Sequence, residues 1–181
     1  MGNINVFTGP MKCGKTQKIF DEFARQQIAE KNIKVFSPTI DTRFGTSNIK
    51  SRNRNKIEAI GINSIDELEN YEADTYFIDE FQFLNGDINI IERMASKGKK
   101  FFIAGLNLTA EKKPFGKMGD LLCIADNINM LTSICDNCKN DNAIYTFYKG
   151  KKDGDILIGD SEYLAVCRNC YDKLMKEYNG I

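Results

Sequence analysis

The sequence predicts an α/β fold, a parallel sheet flanked by helices around a phosphate loop, with a small cysteine-tied module at the C-terminal end. Three observations lead there. Residues Gly9-Pro10-Met11-Lys12-Cys13-Gly14-Lys15-Thr16 match G-x-x-x-x-G-K-[ST], right after a short apolar run and right before a helical pattern. Apolar runs of strand length then alternate with helix-patterned stretches, the order that gives a parallel sheet covered on both faces. Finally, four of the six cysteines fall as Cys135-x-x-Cys138 and Cys167-x-x-Cys170.

Composition bounds the function. A chain of 181 residues, 42% of them hydrophobic, can bury a sizeable core and is not globally disordered. It reads as one domain with an appendage, residues 1–130 and 131–181. Lys+Arg and Asp+Glu both number 25, so the net charge is zero. That argues against holding a nucleic acid polymer, which calls for a basic face. No apolar run reaches membrane-spanning length and no basic-then-apolar leader is present, so the expectation is a soluble, cytoplasmic protein without a membrane partner. Histidine is absent. A general base must therefore be a carboxylate, and a zinc site must be built from cysteine.

Each element has its own signal. Ile4–Thr8 reads as a buried strand and Gln17–Ala29 as a helix with Ile19, Phe20, Phe23 and Ala24 at apolar spacing. Ile33–Ser37 is the second strand. Residues 42–55 turn polar and basic and read as a long loop carrying Arg43, Lys50, Arg52 and Arg54, of which Lys50 and Arg52 are better explained as a solvated basic surface. Glu58–Ile60 reads as a short strand. Ser64 with Glu67 three residues on is a capping-box pattern opening a short helix to Tyr71. Thr75–Glu80 is a near-continuous apolar strand ending in two acids. Asn85-Gly86 turns the chain into a helix over Ile88–Lys97, and Lys100–Ala104 is the next strand. Residues 106–116 read as loop, Asp120–Asp126 as a short helix, and Leu131–Ile134 as a last core strand. An aromatic hairpin between Tyr145 and Val166 and a helix over Tyr171–Tyr178 complete the chain.

The chemistry follows from these positions. Backbone N–H groups of the loop and the positive end of the following helix converge on phosphate oxygens. Lys15 would reach the outer phosphates and the Thr16 hydroxyl would hold Mg²⁺, with Asp79 at a strand end approaching the same ion. Glu80 would point beyond the outer phosphate, where a carboxylate can take a proton from a substrate hydroxyl. The bland alternative is that both acids merely open a helix. Two Cys-x-x-Cys pairs suit a closed tetrahedral zinc site of four thiolates, although the stretch between them is longer than the usual spacing of about 15–20 residues. Cys13 and Cys123 are unpaired and read as small packing residues.

Taken together, Gly9-Pro10-Met11-x-x-Gly14-Lys15-Thr16, Asp41-Thr42-Arg43-Phe44, Asp79-Glu80-x-Gln82-Phe83, Pro114-Phe115-Gly116, Leu131-Thr132-x-Ile134-Cys135-x-x-Cys138 and Tyr163-x-x-Val166-Cys167-Arg168-x-Cys170 resemble the type II thymidine kinases in order and spacing. The resemblance covers nearly the whole chain. It implies a cytosolic, Mg²⁺-dependent, zinc-containing homotetramer that transfers the γ-phosphate of ATP to the 5′-hydroxyl of thymidine in nucleotide salvage, giving dTMP for DNA synthesis. It implies a phosphate-loop domain with a zinc-tied lasso over the nucleoside. By position, Gly9, Met11, Lys12, Cys13, Gly14, Lys15, Thr16 and Arg43 would handle ATP phosphates, Thr16 and Asp79 the Mg²⁺, and Glu80 would be the general base. Met11, Phe83, Leu106, Phe115, Thr146, Leu157 and Tyr163 would line the nucleoside pocket, and Cys135, Cys138, Cys167 and Cys170 would bind zinc.

The chain departs from that pattern in three places. Leu106-Asn107-Leu108-Thr109-Ala110 replaces the family's Leu-Asp-x-x-Phe, removing an acid and an aromatic ring. Lys12-Cys13 stands where the family has Phe or Tyr followed by Ser or Ala, and the lasso is one residue short around Gly159–Tyr163. Two other functions are weighed against a kinase. One is a nucleotide-binding regulatory homologue with weak or broadened nucleoside kinase activity, motivated by Asn107 and Ala110 but at odds with Glu80. The other is a zinc-ribbon nucleic-acid module with an ATPase, at odds with zero net charge.

Overall fold

The computed structural model describes residues 2–40, 48–50, 56–150 and 162–179. Its centre is a six-stranded, all-parallel sheet in the order β5-β2-β6-β7-β1-β8. The strands are β1 (Asn3–Thr8), β2 (Ile33–Pro38), β5 (Ile60–Ile62), β6 (Thr75–Ile78), β7 (Lys100–Gly105) and β8 (Asn127–Met130). Strand alternation divides the side chains into two cores. Ile4, Val6, Phe36, Tyr76, Ile78, Phe101 and Ile103 face one side, where α2 (Asn89–Ser96) and α3 (Met118–Ile124) add Ile90, Ile91, Met94, Met118 and Leu121. Phe7, Val35, Phe77, Phe102 and Ala104 face the other side, covered by Ile19 and Phe20 of α1 (Lys15–Ile28). Aromatic rings run across the strands on both faces: Tyr76 stacks on Phe101 at 5.1 Å and Phe77 on Phe102 at 4.9 Å. Each such pair adds about 0.5–1.5 kcal/mol beyond the area it buries. The predicted α/β class, a sheet flanked by helices, is what the chain adopts.

The boundaries differ from the sequence reading where tertiary context decides. Helix α1 starts at Lys15, inside the phosphate-loop motif, because Gly14 is its N-terminal cap. The Ser64 capping box forms as read, with the hydroxyl accepting the Asp66 N–H and Glu67 accepting the Ser64 N–H, but the turns that follow (Ile65–Asn70) are 3-10 helix. The expected strand Glu58–Ile60 is two strands broken at Ala59, since β4 (Lys56–Glu58) leaves the main sheet to pair antiparallel with β3 (Asn48–Lys50). That pairing also corrects the reading of 42–55 as loop throughout. Ile49 and Ile57 are buried beneath it against α1.

Leu131–Ile134 is not the last core strand. The sheet ends instead on β8, Asn127–Met130, whose side chains are all exposed, and Ile134 lies open to solvent. After β8 the chain forms a separate small core. The antiparallel hairpin of β9 (Tyr145–Tyr148) and β10 (Tyr163–Val166) packs with α4 (Arg168–Asn179) around Cys135, Ala143, Phe147, Cys167, Cys170 and Tyr171. Among the described residues, no helix is long and apolar enough to cross a membrane.

Candidate active site

The site sits at the carboxyl ends of β1 and β6, where open α/β sheets place their ligands. β7 lies between these two strands, so groups at their ends are spaced by two inter-strand steps. The phosphate loop bridges that gap. Gly9 has φ +144°, and a Cβ there would run into the backbone carbonyl of Leu131, so only glycine is accommodated. Gly14, at φ +88°, turns the loop into α1 and leaves the first-turn N–H groups without intrahelical partners. Such an end attracts anions.

Three side chains meet here. Lys15 is buried, with Nζ donating to the carbonyls of Pro10 (2.7 Å) and Gly9 (3.4 Å) and lying 3.6 Å from Cys13 Sγ. The Thr16 hydroxyl donates to Asp79 Oδ2 at 3.1 Å. Two oxygens that close can be adjacent ligands of an octahedral ion with arms of about 2.1 Å, so Thr16 and Asp79 are a donor pair suited to Mg²⁺. Asp79 is only 5% exposed. Burial, reinforced by the nearby Glu80 charge, pushes its carboxyl up to about 7, against the Glu80 N–H, the Thr16 hydroxyl and Lys15, which favour the ionised form.

Glu80 breaks the strand geometry. Its φ of +51° is left-handed, rare for a residue with a side chain, and it diverts the chain into a 3-10 turn over Phe81–Phe83. Buried Gln82 holds the arrangement together. Its Nε2 donates to Glu80 Oε2 at 2.6 Å, while its Oε1 accepts the Leu106 N–H at 2.9 Å. The next residue, Phe83, meets Phe115 edge-to-face at 5.4 Å. One short turn therefore links the carboxylate, the end of β7 and an aromatic pair.

Of the residues singled out by sequence, Gly9, Cys13, Gly14, Lys15, Thr16, Asp79 and Glu80 gather around the phosphate loop. Met11 and Thr146 meet through the Met11 N–H and Thr146 Oγ1 at 3.1 Å. Leu106, Phe83 and Phe115 are joined by the Gln82 turn, and Tyr163 packs on Tyr148 with ring centres 5.0 Å apart. The Lys12 side chain points away from the cradle to Asp136. Arg43 and Leu157 lie outside the described residues. Gln82 was legible only as a neighbour of the acids; nothing in the sequence announced that it holds one of them.

The four cysteines form a second centre. All are free thiols, and their sulfurs lie within 4.8 Å of one another. Cys138 and Cys167 sulfurs are 3.8 Å apart, the edge of a tetrahedron with metal–sulfur arms of about 2.3 Å. Burial opposes ionisation of Cys135, but N–H groups of Cys138, Cys167 and Asn137 outweigh it and bring the thiol down to about 6. Cys170 is pushed up to about 12: an Asn137 hydrogen bond favours its thiolate, and burial and the three other sulfurs outweigh that bond. A cluster in which one thiolate forms readily and the next is held back calls for a cation, and zinc matches the all-sulfur donor set.

The family model described as "Thymidine kinase" matches residues 2–171. The chain is 37% identical to a thymidine kinase of Mycoplasma mobile, across 94% of this chain and 87% of that protein. It is 32% identical to one of Porphyromonas gingivalis (95% and 86% of the two chains) and 32% identical to one of Bacteroides fragilis (97% and 90%). With a family model and relatives that span it almost end to end, the chain belongs to the thymidine kinase family.

Proposed function

We propose that the chain is an ATP-dependent thymidine kinase, transferring the γ-phosphoryl group of ATP to the 5′-hydroxyl of thymidine to give dTMP. The observation that carries this reading is the convergence of Lys15, Thr16, Asp79 and Glu80 at the carboxyl end of the sheet in a chain of this family. The relatives' names support a kinase and lend nothing to the regulatory alternative.

Phosphoryl transfer asks for positioning and charge neutralisation more than for covalent chemistry. Backbone N–H groups of Gly9–Thr16 and the start of α1 bind the phosphates, and Lys15 meets the outer ones, with Met11, Cys13 and Arg43 alongside. Mg²⁺ held by Thr16 and Asp79 supplies further neutralisation. Glu80, fixed by Gln82, accepts the proton as the 5′-oxygen bonds to the γ-phosphorus and the bond to the β-phosphate oxygen breaks. Met11, Phe83, Leu106, Phe115, Thr146, Leu157 and Tyr163 line the nucleoside side. Cys135, Cys138, Cys167 and Cys170 would hold zinc, which would fasten the 131–181 lasso beside the 1–130 domain, and the working form is a cytoplasmic homotetramer.

The test is a steady-state assay with Mg²⁺–ATP and thymidine, deoxyuridine, deoxycytidine and deoxyguanosine. Selective turnover of thymidine is expected, and Glu80→Gln should lower kcat by about a hundredfold or more while nucleotide binding persists. No turnover of any nucleoside by a protein that binds ATP would overturn the assignment.

A further inference from the structure

The phosphate loop does not stand alone on the sheet. Four contacts tie it to the segment that carries the cysteines. Lys12 Nζ pairs with Asp136 Oδ2 at 2.8 Å, and neither side chain is more than 28% exposed. The Lys12 carbonyl accepts the Ser133 hydroxyl at 3.2 Å, the Met11 N–H is held by buried Thr146, and Gly9 packs on the Leu131 carbonyl. Lys12 itself sits at φ +65°. A side-chain residue held in that region needs its surroundings to over-determine it, and here the surroundings are Ser133 and Asp136.

Asp136 is equally embedded in the cysteine cluster. It lies between Cys135 and Cys138, its N–H donates to Ala165 O at 2.8 Å, and its Oδ2 accepts the Ala165 N–H at 2.8 Å. Two residues on, the Cys167 N–H donates to Cys135 Sγ at 3.3 Å. One carboxylate oxygen therefore joins the strand that delivers Cys167 to a lysine inside the phosphate loop.

We infer that Asp136 is a positioning residue for the phosphate loop, and that through Lys12 it couples occupancy of the four-cysteine site to ATP affinity. When the cysteines are drawn together by metal, the Cys135–Cys138 turn is fixed and Asp136 presents an immobile anchor to Lys12. When metal leaves, that turn loosens and the loop loses its hold at the residue that needs it. Coupling of this kind is reciprocal, so bound ATP must also retain the metal. The inference rests on reading 9–16 as the ATP site and 135–170 as a zinc site.

The experiment measures ATP binding by calorimetry and zinc release to a chromogenic chelator, on the full chain loaded with zinc. Asp136→Asn can still accept the Ala165 N–H but loses the charge that Lys12 needs. It is expected to keep one zinc per chain and to bind ATP about fivefold more weakly, and adding Lys12→Met to it should cost little more. Saturating ATP is expected to tighten zinc binding in the wild type, read at equilibrium as less metal transferred to the chelator, and not in the double variant. If Asp136→Asn fails to hold zinc, Thr146→Val tests the neighbouring tie from outside the cysteine loop, and weakened ATP binding with zinc retained is again expected. Equal ATP affinity in zinc-loaded variants, with zinc transfer unaffected by ATP, would overturn the coupling while leaving the kinase reading intact. A wild type that binds no ATP at all would instead overturn the reading on which it rests.

Discussion

Replacing Asp79 by asparagine should make the ligand-free protein more stable and the enzyme inactive. Asp79 is buried beside Glu80, and its pKa is raised from 3.8 to about 7. The unfolded chain ionises this group freely above pH 4, whereas the folded protein resists until about pH 7. Its contribution is therefore a destabilisation that sets in as pH rises through 4, grows to about pH 7 and is constant above. A shift of about three units corresponds to about 4 kcal/mol at pH 8, falling to under about 2 kcal/mol at pH 5, where the folded carboxyl is already neutral. Asparagine mimics that neutral form and can still accept the Glu80 N–H. In a chain of this size 1 kcal/mol moves the melting temperature by about 2–4 °C. Thermal unfolding of both proteins from pH 5 to pH 8, zinc-loaded but free of Mg²⁺ and nucleotide, should show Asp79→Asn melting about 5 °C or more above the wild type at pH 8. The gap should narrow towards pH 5. Adding Mg²⁺–ATP should stabilise the wild type more than the variant. A variant no more stable than wild type at pH 8, or a gap that ignores pH, would refute the argument that burial of this carboxylate is the dominant cost.

Three other substitutions probe separate parts of the structure. Gln82→Leu strands the Leu106 N–H and removes the amide tie to Glu80, so unfolding should show a loss of about 1–3 kcal/mol, and kcat should fall about tenfold with little change in the KM for ATP; an unchanged kcat would remove Gln82 from the positioning of Glu80. Gly9→Ala drives a Cβ into the Leu131 carbonyl at a positive φ, and calorimetric titration with ATP should show binding weakened by at least about tenfold. Ser64→Ala removes the capping box and should cost about 1 kcal/mol in chemical denaturation with turnover unaffected, because the 3-10 helix it caps supplies none of the side chains assigned to the site.

What the sequence disclosed, and what it did not, follows how local each signal is. The loop at Gly9–Thr16, the acids after Ile78, the capping box at Ser64 and the paired cysteines are each written within a few consecutive residues, and each was found where expected. Asn127–Met130 escaped because its alternation, Asn-Ile-Asn-Met, spans only four residues and buries neither Ile128 nor Met130, whereas Leu131–Ile134 offers two branched apolar residues and yet leaves Ile134 in solvent. The β3–β4 ladder rests on Ile49 and Ile57, two isolated apolar residues in polar surroundings, which gain meaning only by pairing under α1. The Lys12–Asp136 and Gln82–Leu106 contacts join positions far apart in the chain, so no local pattern records them.

The placement of β1 has a consequence for how the chain is made. Asn3 pairs with Lys100 and Asn5 with Asn127, so β1 is inserted between two strands made about a hundred residues later. At translation rates of about 5–20 residues per second, Ile4, Val6 and Phe7 wait several seconds or longer for both neighbours. The phosphate loop attached to that strand cannot close on Leu131 or Asp136 until those residues have left the ribosome as well. Nucleotide-binding competence therefore arrives late and in one step, and a nascent chain stalled before β8 would hold an exposed apolar strand and no working loop.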